Sequence, residues 1–104
     1  MNETLSLAYK ILKALENGEH PATSLQPEVL GCSPSKLGQV LKSLIAEGYI
    51  RNVRIYTDIL GTPIADVSKA EITLKGAEYL NENSVMKKIG SAVTGLIPLT
   101  DLIK

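Results

Sequence analysis

Three stretches of the chain alternate apolar and polar residues with helical spacing. Between residues 3 and 17, Leu5, Leu7, Ala8, Ile11, Leu12 and Leu15 recur with Tyr9 alongside, and Lys10, Lys13 and Glu16 fall opposite, so the spacing predicts an amphipathic first helix ended by Asn17-Gly18. Between Pro34 and Glu47, Leu37, Val40, Leu41, Leu44 and Ile45 share one face. Ser33 stands at the N-cap of that helix, Pro34 at its first position and Gly48 just past its end. Near the C-terminus, Thr73 caps an expected helix over Leu74 to Asn81, with Ala77, Tyr79 and Leu80 for packing and Gly76 as a weakening residue. Asn83-Ser84 then opens another from Val85 to about Thr94, with Val85, Met86, Ile89 and Val93 apolar, and Gly95 and Pro98 end it.

The remaining segments read as loops, a short helix and strands. GEHPATS, residues 18–24, is a loop by composition, and Ser24 is the expected cap of a short helix over Leu25 to Leu30 with Pro27 in its first turn and Gly31 at its end. Tyr49 to Tyr56 carries period-two alternation, Val53 and Ile55 on one face and Arg54 and Tyr56 on the other, and predicts a strand. TDILGTPI, residues 57–64, is a hairpin connection, Ala65 to Val67 the return strand, and Glu71-Ile72 a further short strand or linker.

Read in order, these elements make an α+β, mostly α chain of the type α-α-α-β-β-α, the pattern of a winged helix-turn-helix, with a C-terminal helical extension. The short helix, the Gly31-Cys32-Ser33 turn and the longer helix have helix-turn-helix spacing. The expected division is a winged-helix domain over 1–82 and an extension over 83–104. Leu96, Ile97, Leu99, Leu102 and Ile103 make the end of that extension strongly apolar. Val85 to Ile103 is more apolar than one small domain readily covers, and a homodimer through the C-terminal helices is expected.

With 104 residues the chain can bury one core. Eleven Lys+Arg balance eleven Asp+Glu, so the total charge carries no basic excess of the kind nucleic-acid binding usually leaves. The distribution changes that picture. From Ser33 to Tyr56, Lys36, Lys42, Arg51 and Arg54 stand against Glu47, a local +3; from Thr57 to Ile72, Asp58, Asp66 and Glu71 outnumber Lys69, a local −2. On the helix from Pro34, the residues away from the apolar face are Ser35, Lys36, Gln39, Lys42 and Ser43. Gln39 has the amide that pairs with adenine, Lys36 suits guanine or phosphate, and Lys42, Arg51, Arg54 and Lys69 suit phosphates of double-stranded DNA. The hairpin tip, Asp58-Ile59-Leu60-Gly61-Thr62-Pro63, has no Lys or Arg and is not expected to enter a minor groove; Ile59 and Leu60 are expected to pack on a partner subunit or fold back.

Catalytic chemistry finds little purchase. His20 is the only histidine and sits in a loop, and Cys32 is the only cysteine, without a paired Cys or nearby His for metal or redox work. No Gly-rich phosphate loop or nucleophile elbow is present, so no enzyme activity, cofactor, metal or small-molecule ligand is expected. The N-terminus MNETLSLAYK lacks a secretion-signal layout and no apolar run reaches a membrane span, so a cytoplasmic location is expected.

Several of these stretches also resemble a known family. A helix ending in "EGYI" and passing into a strand resembles the join between the third helix and the wing of winged-helix domains. "YKILKALENG" (Tyr9 to Gly18), "LIAEGYI" (Leu44 to Ile50), "ITLKGAEYLNENSVMKKI" (Ile72 to Ile89) and "GLIP" (Gly95 to Pro98) together resemble the YjcQ-like family of small winged-helix proteins from Gram-positive bacteria and their phages. The resemblance implies the winged-helix fold and a tendency to bind DNA, and it supplies no catalytic residues. A small transcriptional regulator or phage accessory protein is the expected role; the alternative is a winged helix used for protein–protein contact or as a structural module.

Overall fold

The computed structural model describes residues 3–61 and 63–94. In chain order they form α1 (Glu3–Glu16), α2 (Pro21–Ser24), α3 (Pro27–Leu30), α4 (Pro34–Ala46), β1 (Ile50–Arg51), β2 (Arg54–Thr57), β3 (Pro63–Asp66), β4 (Glu71–Ile72), α5 (Leu74–Glu82) and α6 (Ser84–Thr94). The architecture is α+β and mostly helical, with two small antiparallel sheets, β1 with β4 and β2 with β3.

The long helices follow the periodicity. Leu7, Ile11 and Leu12 of α1 and Leu37, Val40, Leu41 and Leu44 of α4 are buried in one core, with Leu25, Ile50, Leu80, Met86 and Ile89 joining from other elements. Ile45, expected on the same buried face of α4, is 37% exposed. It stands at the edge of the apolar stripe, in the last turn of the helix. On α6, Met86 and Ile89 are buried while Val85 is 46% exposed; Val93 and the apolar tail from Leu96 to Ile103 lie outside the described side chains. Helix α6 packs on both α1 and α5, and Gly90 is where it comes closest: a Cβ there would stand 3.0 Å from the Tyr9 ring.

Caps set the helix starts as the residue types dictate. The Ser33 hydroxyl accepts from the Lys36 amide at 3.1 Å, and the Thr73 hydroxyl accepts from the Gly76 amide at 3.0 Å while donating to the Gly48 carbonyl at 2.6 Å. The Asn83 side-chain oxygen accepts from the amides of Val85 and Met86.

Three expectations need correction. Ser24 does not cap the short helix; it ends α2, a single turn inside the segment expected to be loop, and α3 starts at Pro27 with Gln26 before it making no side-chain cap bond. The cap of α2 is His20, whose Nδ1 accepts from the Ala22 amide at 3.2 Å, and Pro21 follows at the position where a missing N–H does no harm. The strand from Tyr49 to Tyr56 is not continuous. Asn52 adopts φ +64°, a left-handed conformation that Asn tolerates better than most residues, and the chain on either side of it pairs differently. Before it, Ile50 and Arg51 oppose Ile72 and Glu71; after it, Arg54 to Thr57 oppose Asp66 to Pro63. The return strand therefore begins at Pro63, two residues before the expected Ala65, and Glu71-Ile72 is a strand rather than linker.

Gly76 is the third. Reading it as a helix-weakening residue misses its packing: a Cβ at Gly76 would lie 2.1 Å from the Tyr49 carbonyl oxygen and 2.9 Å from the Ile72 side chain. The glycine lets α5 lie directly on the backbone leaving α4. The Tyr49 and Tyr79 rings stack there, centroids 4.4 Å apart and planes 10° from parallel, and the Lys75 ammonium lies 5.7 Å from the Tyr49 ring centre.

Candidate nucleic-acid interface

Helix α4 is held on its inner side by the core, so its outer side is determined by subtraction. The cap at Ser33 fixes where the helix begins, and the buried Leu37, Val40, Leu41 and Leu44 fix its rotation. Ser35, Gln39, Lys42 and Ser43 are then all exposed, and the Ser43 hydroxyl donates back to the Gln39 carbonyl at 3.2 Å. From Ser35 to Ser43 this face is polar and carries one cation, Lys42; the last turn exposes Ala46.

The other basic residues are dispersed. Lys36 is half-buried, and its ammonium donates to the Thr4 hydroxyl at 2.6 Å, tying the first turn of α4 to the start of α1 rather than pointing outward. Arg51 pairs with Glu71 across the β1–β4 sheet, Nε to Oε1 at 2.8 Å, and the Asn52 amide donates to the same oxygen at 3.1 Å. Both groups of that pair are exposed, so its worth in stability is small. Arg54 is exposed on β2 directly across from Asp66, and Lys69 is exposed in the turn after β3. Of the eight residues singled out in the sequence, Ser35, Gln39, Lys42 and Ser43 share the outer face of α4, Arg54 and Lys69 lie on and beyond the hairpin, and Lys36 and Arg51 are engaged within the chain.

Asp66 takes part in a local turn network that sequence reading did not find. The Ser68 hydroxyl and amide both donate to its carboxylate, at 2.8 and 3.2 Å, and together with the nearby Arg54 and Lys69 charges they hold its carboxyl below the ordinary value of 3.8. The signal was the D-x-S spacing at 66–68, which favours such a turn.

The hairpin tip departs furthest from a nucleic-acid surface. The Asp58 carboxylate accepts from the Leu60 amide at 2.9 Å and the Gly61 amide closes the turn onto the Asp58 carbonyl, which leaves Ile59 98% and Leu60 86% exposed. They do not fold back onto the domain. At the base of the hairpin lies an apolar cleft of about 190 Å³ between α3, the first turns of α4 and strands β2 and β3.

Cys32 is half-buried in the turn between α3 and α4, and burial, followed by the nearby Glu3 charge, pushes its thiol up from the ordinary value. That direction makes it a poor nucleophile at neutral pH. The Tyr79 hydroxyl is likewise pushed up, first by burial and then by Tyr49 and Glu47. Among the described residues no group of three or more His, Cys, Asp or Glu side chains converges to hold a metal ion, and no helix is long and apolar enough to cross a membrane.

Comparison with family models finds a match over residues 9–96 to the model described as YjcQ protein, from the middle of α1 to beyond α6. Comparison with curated proteins and with solved structures found no match.

Proposed function

The chain belongs to the YjcQ family, and from that premise we propose that it is a winged-helix DNA-binding protein, of the kind that serves as a small transcriptional regulator or phage accessory protein, with α4 as the helix that enters the major groove. One observation carries this reading: from Ser35 to Ser43 the outward face of a capped, well-packed helix that follows a short helix and a tight turn is polar, with Ser35, Gln39, Lys42 and Ser43 side by side. In that arrangement Gln39 meets a base edge and Lys42 and Arg54 meet phosphates, with Lys69 adding a further phosphate contact from the turn beyond the hairpin. Lys36 and Arg51 act from inside the chain, holding α1 to α4 and β1 to β4, so the electrostatic footprint is smaller than the four basic residues between Ser33 and Tyr56 suggest.

Titration of a fluorescent duplex at a series of salt concentrations tests it. Three phosphate contacts predict a slope of log affinity against log salt of roughly −3, and Lys42→Ala reduces that slope by about 1. Gln39→Ala changes the preference among duplex sequences more than it changes the slope. Absence of any complex at the lowest salt overturns the reading.

The exposed Ile59 and Leu60 favour a second reading, a winged helix that works through protein contact, because an apolar tip beside an aspartate offers nothing to a phosphate backbone.

A further inference from the structure

The hairpin presents an apolar knob at its tip and an apolar hole at its base. The knob is Ile59 and Leu60, held outward by the Asp58–Leu60 and Asp58–Gly61 hydrogen bonds. The hole is lined by Leu25, Pro27, Pro34, Leu37, Ile55 and Ile64, and it stays open because α4 has a glycine there: nothing lies within 4 Å of a Cβ built on Gly38. A glycine in the middle of a helix costs about 1 kcal/mol against alanine, and this one has no packing reason of the kind Gly76 has.

We propose that the hole receives the hairpin tip of a second copy of this chain, the two copies exchanging tips across a two-fold axis. A volume of about 190 Å³ is below the ~300–1,000 Å³ typical of small-molecule sites and is on the scale of aliphatic side chains. The hairpin cannot fill its own hole. Ile55 lines the cleft, whereas Ile59 lies past the end of β2 at Thr57, in the turn at the far end of the hairpin, and is 98% exposed. Two hairpins laid antiparallel set each tip at the other's base, which is the self-complementary relation a two-fold axis requires.

Charge agrees with this arrangement. The tip carries the Asp58 carboxylate, whereas the exposed Lys42 stands one turn along α4 from Gly38, which lines the hole. The chain as a whole has zero net charge, so no general repulsion opposes self-association.

Sedimentation equilibrium of the full chain without nucleic acid, from low micromolar to submillimolar concentration, tests the pairing independently of the DNA reading. The expected result is a reversible dimer whose Kd rises at least roughly tenfold in Ile59→Ser/Leu60→Ser and again in Gly38→Leu, with thermal stability of the monomer not lowered in either. The tip residues are exposed and the space over Gly38 is open, so these variants keep the fold. In a Cys32→Ser background, mixing Leu60→Cys chains with Gly38→Cys chains under mild oxidation yields a mixed disulfide dimer. A monomer at every concentration, a dimer whose Kd neither set of substitutions changes, such as one formed through the C-terminal helices, or failure of the mixed disulfide to form would each overturn the proposal.

Discussion

Two glycines inside helices have opposite physical roles, and substitution separates them. Gly38 faces open space, so Gly38→Ala gains helix propensity without a clash and raises stability by about 0.5–1 kcal/mol in urea unfolding. Gly76 faces the Tyr49 carbonyl oxygen at a distance no Cβ can occupy. That carbonyl also accepts from the Thr73 amide at 3.0 Å, so it cannot move aside without breaking the entry to α5. Gly76→Ala therefore destabilises by about 2–3 kcal/mol in the same measurement, despite alanine's better propensity. A sequence alone does not distinguish the two, because propensity assigns both the same cost and only the neighbour across the gap decides the sign.

Elements were legible where local chemistry suffices to specify them. Helices α1, α4, α5 and α6 follow from apolar spacing, and the caps at Ser33, Thr73 and Asn83 follow from side chains that satisfy open backbone amides. Thr73 does more than a cap, since its hydroxyl also donates to Gly48 and so joins the start of α5 to the end of α4. Thr73→Ala is expected to cost about 1–2 kcal/mol in urea unfolding, towards the upper end for a lost cap, and Thr73→Ser recovers most of it. The strand after α4 was less legible. Its alternation continues through Asn52, but the backbone there turns left-handed and hands the chain from one sheet to the other. The first half pairs with Glu71 and Ile72 and the second with the nearer Pro63 to Asp66, and alternation holds no record of that choice.

At the scale of the molecule, α6 closes the core by lying against α1 and α5, and the approach depends on Gly90 against the Tyr9 ring. Gly90→Val pushes the two helices apart and is expected to destabilise the fold by about 1–3 kcal/mol, with a matching gain in Tyr9 fluorescence quenching by iodide. The exposed polar face of α4 and the apolar hairpin tip then lie on parts of the surface that the core does not use. This layout makes both duplex contact and self-association open to measurement on one chain, the first read from its salt dependence and the second from its concentration dependence.

The order of residues was enough to establish a mostly helical α+β chain, the positions of its principal helices, the caps at Ser33, Thr73 and Asn83, and the polar character of the face from Ser35 to Ser43. Each of these depends on neighbours within a turn or two of chain. Tertiary structure alone decided that Lys36 and Arg51 are held by Thr4 and Glu71, that Ile59 and Leu60 stand clear of the domain, and that Gly38 opens a cleft while Gly76 closes a contact. Those outcomes depend on groups brought together from distant positions, and whether a charge is spent or a glycine is needed is a property of what lies opposite it in space.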